Sequence, residues 1–117
     1  MTDRELLEMA AKAAGIKIER FRLDDPMWRD VLIDTSSRNE KGDAIGWNPL
    51  TDDGDALRLA VKLNLTVKIW ISAVVVEEYN GKRLAYEDTG CRAKEYEYEA
   101  TRRAIVRAAA AIGESMK

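Results

Sequence analysis

Three carboxylates fall within four residues at Asp52-Asp53-Gly54-Asp55. Acids this close are hard oxygen donors of the kind magnesium and calcium take. The pattern lacks the distant bidentate glutamate of a calcium loop. The same acids suit the positive end of a helix dipole, so a helix cap is the stronger reading and a metal-dependent nuclease the weaker one. Immediately upstream, Trp47-Asn48-Pro49-Leu50 sets an indole beside a turn residue and a proline. Such a corner either lines a binding pocket or plugs the end of a core, and the size of the indole favours the core. Asn48 would then tie the turn through its side chain. The third constellation is the basic stripe Arg102, Arg103 and Arg107, with Tyr96 and Tyr98 ahead of it and Arg83 and Arg92 as further basic residues. Guanidinium forks match phosphate geometry. Neither common glycine-rich phosphate loop accompanies the stripe, and a solvated helix face with intrahelical ion pairs explains it better. Cys91 has Arg92 beside it but no base to activate it. The acids Glu77, Glu78, Glu95, Glu97 and Glu99 have the spacing of surface charge.

Histidine is absent from all 117 residues. That removes Ser-His-Asp and Cys-His catalysis and any imidazole zinc site. With no enzyme motif left standing, the reading leans away from catalysis, and no cofactor or metal is expected. Nineteen basic residues face 21 acidic ones, for a net charge of −2. Binding a polyanion through overall charge is therefore a poor match, and nucleic acid is a weak candidate partner. Apolar runs such as residues 73–76 are far below the ~20 residues that cross a bilayer. The charged start, Met1-Thr2-Asp3-Arg4-Glu5, has no apolar signal region. A single cysteine suits a reducing compartment. Together these place the expected site of action in the cytoplasm, away from membranes.

The elements that must position these residues follow from periodicity. Leu6, Met9, Ala10, Ala13 and Ala14 predict a helix over residues 3–14, stopped by Gly15. Residues 16–23 alternate, as does a second run at 28–34 beyond the turn residues Asp24-Asp25-Pro26, and the two form a hairpin. Residues 35–46 have no period and read as a loop. A helix then runs from the Thr51 or Asp52 cap to Leu63, with Leu57, Ala60 and Val61 on its buried stripe. Residues 66–79 form the strongest strand, with Val67, Ile69, Ile71, Ala73 and Val75 as one unbroken apolar face in mid-sheet. Asn80-Gly81 turns the chain into a strand at 82–87. The last helix spans 93–112 and ends at Gly113, with Ala104, Ile105, Ala108 and Ile112 facing the core and Glu99 paired to Arg103. With 46% hydrophobic residues, the chain is expected to form one α+β domain over residues 1–117. The expected order is α-β-β-α-β-β-α, around an antiparallel sheet of about four strands.

The block running from Trp47 through Asp55 to Leu63, W-N-P-L-T-D-D-G-D-A-L-R-L-A-V-K-L, resembles small proteins of phages and prophages grouped as the phage ABA-sandwich domain family. The opening Leu6-Leu7-Glu8-Met9-Ala10-Ala11-Lys12-Ala13-Ala14-Gly15 is similar, and so is the tail from Ala100 to Ala110. These stretches bracket nearly the whole chain, and the W-N-P-L block is the most specific of them. The resemblance implies a sandwich of helices and sheet acting in the cytoplasm of a bacterial host. It brings no catalytic residues to carry over. The expected function is that of a non-catalytic phage accessory protein that binds a host protein or a small ligand. The candidate surface is the corner bearing Trp47, Asn48, Asp52, Asp53 and Asp55. The alternative is a sponge for nucleotides or other small anions built on Arg102, Arg103 and Arg107. A homodimer through the edge strand at 82–87 is a further expectation.

Overall fold

The computed structural model describes residues 2–20, 32–38, 44–90 and 94–116. Helix α1 covers Asp3–Ala14. Its N-terminus is closed by the Thr2 hydroxyl, which accepts from the Glu5 amide. Its C-terminus ends on Gly15 at φ 71°, where the Ile16 amide reaches back to the Ala11 carbonyl. The helix and its stop are as expected. The buried face is rotated slightly, to Leu7, Ala10, Ala11 and Ala14, with Leu6 partly covered.

Strands β1 (Ile18–Arg20) and β2 (Leu32–Arg38) pair antiparallel, and β3 (Ala44–Gly46) adds to β2. The expected first hairpin is therefore present, though its Asp24-Asp25-Pro26 turn lies outside the described residues. The loop expected over 35–46 is corrected at both ends, since 35–38 and 44–46 are strand. The polar run Thr35-Ser36-Ser37 carries no alternation, and the pairing of β2 with β3 shifts register between Asp34 and Arg38.

Helix α2 is Asp53–Lys62. It closes with Asn64 at φ 54° and the Leu65 amide on the Ala60 carbonyl, an asparagine serving where glycine is usual. Three strands follow as consecutive antiparallel hairpins: β4 (Thr66–Ile69), β5 (Ala73–Glu77) and β6 (Arg83–Asp88). The single strand expected over 66–79 is thus two strands folded on each other. A fourteen-residue strand would span roughly 46 Å, more than the molecule's longest dimension of 40 Å. Trp70 to Ala73 makes the turn, closed by the Trp70 amide on the Ala73 carbonyl at 2.8 Å. No glycine or proline marks it; fully buried Thr89 holds it instead. The Thr89 amide donates to the Ser72 carbonyl, and its hydroxyl to the Ile71 carbonyl. Ile69 and Ile71 are consequently exposed, while β5 is buried on both faces. The Asn80-Gly81 turn is as expected, with Gly81 at φ 90° and the Lys82 amide on the Asn80 side chain.

Helix α3, Lys94–Ser115, packs against α1, α2, β5 and β6. It does not stop at Gly113 but runs through it. A Cβ at Gly113 would lie 2.0 Å from the Met9 carbonyl oxygen, so the glycine is there because α1 crosses too close for any side chain. Alanines at 10, 11 and 14 on α1 and at 104, 108 and 109 on α3 are all buried in one core cluster. The cluster also takes in Trp47, Leu50, Leu59, Val74, Val76, Ile105 and Val106. The protein is thus α+β, with three helices among the described residues. Its six described strands form two three-stranded antiparallel sheets instead of one sheet of four.

Candidate functional site

The corner from Trp47 to Asp55 is held by its own backbone and side chains. Trp47 and Pro49 are buried. The Asn48 side-chain oxygen accepts from the Leu50 amide at 3.0 Å, making an asparagine-centred turn. The Asn48 carbonyl accepts the amides of Thr51 and Asp52. Asp52 caps α2 by accepting from the Asp55 amide at 2.8 Å. Asp55 is the deepest of the three acids, with its side chain 11% exposed. It accepts the Asn48 amide at 2.9 Å and the Arg58 guanidinium at 2.6 Å. Arg58 also stands 3.7 Å from Asp52.

Asp53 points the other way and is 73% exposed. It receives Arg102 Nη1 at 2.7 Å, while Arg102 Nε donates to the Leu50 carbonyl at 2.8 Å. The three acids therefore serve three different partners. Among the described residues, no group of three metal-ligating side chains comes together.

The arginine stripe fans out in the same way. Arg102 ties α3 to the start of α2. Arg103 grips both carboxylate oxygens of Asp3 on α1, at 3.0 and 3.3 Å, while Glu99, the partner expected from spacing, acts on it more weakly through its charge. The hydrogen bonds to Asp3 raise the Arg103 pKa above its ordinary value against a smaller opposing effect of burial. Arg107 meets Glu87 on β6 at 2.6 Å and the Tyr86 carbonyl at 3.4 Å. Each fork is already occupied by an acid from another element, and the three guanidiniums do not converge on one point. Cys91 and Arg92 lie outside the described residues.

Two grooves border this corner. One, of about 400 Å³, lies between the start of α1 and the loop at Asn48, Leu50 and Thr51. The other, of about 310 Å³, opens between α2, β4 and α3. Its walls are mostly apolar, including Leu57, Val67, Ile69, Tyr98 and Ile105, and Asp53 and Arg102 stand at its rim. Of the candidate residues, Asp53 and Arg102 are thus brought together at a groove and Asn48 borders another. Trp47 sits in the core, Asp52 and Asp55 in the cap, and Arg103 and Arg107, on the same helix as Arg102, reach acids of α1 and β6.

Of the groove's walls, Leu57, Ile69 and Tyr98 are exposed; Val61 lies one helical turn beyond Leu57, and Trp70 and Ile71 follow Ile69 in the chain. Leu57, Val61, Ile69, Trp70, Ile71 and Tyr98 are each between 57% and 79% exposed. The expected buried stripe on α2 is corrected here, since Leu57 and Val61 face outward while Ala56, Leu59 and Ala60 are buried. One signal was present: α2 carries apolar residues on two faces, and ten residues can press only one of them into a core. Comparison of the chain with family models, with curated proteins and with solved structures finds no match. Among the described residues, no helix is long and apolar enough to cross a membrane.

Proposed function

We propose that this chain is a non-catalytic binding protein, a phage or prophage accessory factor acting in the cytoplasm of a bacterial host. Its likeness to the ABA-sandwich family rests on the W-N-P-L block and its flanking helices, and brings with it a layered arrangement of helix and sheet. The observation that carries the binding reading is the apolar surface between α2, β4 and α3. Six large apolar side chains exposed in one region exceed the scattered exposure usual on a protein surface. A groove beside them gives a partner's side chain somewhere to seat, with the Asp53–Arg102 pair as a polar rim. The partner this surface suits is another protein, in keeping with its apolar character. The arginines weigh against a small anion, because their forks are engaged by Asp53, Asp3 and Glu87.

The test is retention from bacterial lysate on immobilised wild-type protein and on Leu57→Asp, an exposed position whose change leaves the core alone. Bands held by the wild type should fall about tenfold or more on the variant, as for truncation at a binding hot spot. Equal retention on both, or none on either, would count against the reading.

A further inference from the structure

Sheet β4-β5-β6 has two edges, and they differ in kind. The β6 edge carries Arg83, Glu87 and Asp88, and Arg107 reaches across to the Tyr86 carbonyl. Charge and an occupied carbonyl are how edges are kept from pairing. The β4 edge carries Thr66, Val67, Lys68 and Ile69, and among the described residues it pairs with β5 alone. Its one charge, Lys68, is balanced by Glu77 on β5 at 3.2 Å. Beside that edge lies the apolar surface of α2, the Trp70–Ile71 turn and Tyr98.

We propose that a second copy of this chain covers this face, pairing β4 to β4 antiparallel about a two-fold axis at Val67. The proposal rests on the reading that this face is the chain's binding surface, and it names the occupant. An axis at Val67 sets Val67 against its own copy, Thr66 against the copy's Lys68, and Leu65 against the copy's Ile69. No like charges then face each other. An axis one residue later would set Lys68 against its copy, which is unfavourable directly across a strand pair. In the Val67 register, the groove-lining side chains Val67 and Ile69 of the two copies lie on one face.

The area is also right. Six apolar side chains at these exposures offer on the order of 500 Å² of apolar surface per copy. A specific interface buries about 800 Å² per partner, of which roughly 57% is apolar, so about 450 Å² is needed. A two-fold pair of identical patches is the commonest form of association for such a surface.

Sedimentation of the full chain across about 1–100 μM should show a species of twice the 13.2 kDa chain mass. Ile71→Lys and Ile69→Lys, both at exposed positions, should weaken dimerisation about a hundredfold while the helical signal stays within error of the wild type; Tm should fall only at concentrations where the wild type is a dimer. In a Cys91→Ser background, Val67→Cys should cross-link to its copy on oxidation, and Arg83→Cys on the opposite edge should not. A wild-type monomer at the highest concentration overturns the proposal, as does cross-linking through Arg83→Cys instead of Val67→Cys. A monomer that still shows the Leu57-dependent retention from lysate removes the dimer and leaves the binding surface. A dimer with no such retention keeps the surface and its second copy, and removes a partner other than the chain itself.

Discussion

Asp55 and Asp53 are two residues apart and have opposite burdens. Asp55 is nearly buried and satisfies the Asn48 amide, while its own amide completes the Asp52 cap. Removing its carboxylate leaves a partly buried amide without its acceptor and Arg58 without its closest partner. Asp55→Ala is therefore expected to cost about 2 kcal/mol. Asp53→Ala should cost under about 1 kcal/mol, because Asp53 itself is 73% exposed and Arg102 keeps its bond to the Leu50 carbonyl. Urea midpoints of the two variants check this, and equal losses would mean that the corner is not organised around Asp55. The dense acids were legible in the sequence as a cap, since four residues of Asp and Gly before an amphipathic run have few other uses. Which acid went inward was not legible. That depends on where the Asn48 turn sets its amide, seven residues upstream of Asp55.

At the scale of elements, the clearest readings were those with local chemistry of their own. Gly15 stops α1 and Asn80-Gly81 turns β5 into β6 because positive φ favours those residues wherever they stand. The break at residues 70–72 had no such mark. Its carbonyls are satisfied by Thr89, which is seventeen residues away from Ser72 in sequence, so nothing near the turn announces it. The outward face of α2 was misjudged for a related reason. With Ala56, Leu57, Leu59, Ala60 and Val61 all apolar, periodicity does not choose which side meets α3. Gly113 reads as a helix stop and is instead a point of contact. Gly113→Ala would ordinarily gain about 1 kcal/mol of helix propensity. Here it must push α1 away from α3, and overpacking of this kind costs about 1–3 kcal/mol. Thermal unfolding should show a lower Tm; a rise would mean that the two helices are not in contact at Met9.

For the whole molecule, α3 is the hub. Its three arginines tie it to the start of α2, to α1 and to β6, each through a different acid. What looked like one basic stripe is a set of separate fastenings, which the sequence could not show because their partners lie 20 to 100 residues away. Arg103→Ala and Arg107→Ala should each cost about 0.2–1 kcal/mol, as partly exposed ion pairs do. The two sit one helical turn apart, and the Glu87 that pairs with Arg107 also acts on Arg103, so the losses should couple by about 0.5 kcal/mol or more in the double variant. Simple additivity in denaturant titrations would mean that the two fastenings are independent.

The alanine seam between α1 and α3 has a thermodynamic consequence of its own. Alanine gives up no rotamer freedom when it is immobilised. The two longest helices thus dock by freezing almost no rotatable bonds, and backbone proximity supplies the dispersion contacts that longer side chains would otherwise provide. The joint is cheap in entropy and intolerant in volume. One added methylene along it has no flexible neighbour to absorb the strain, so sequence drift should be narrowest along this seam.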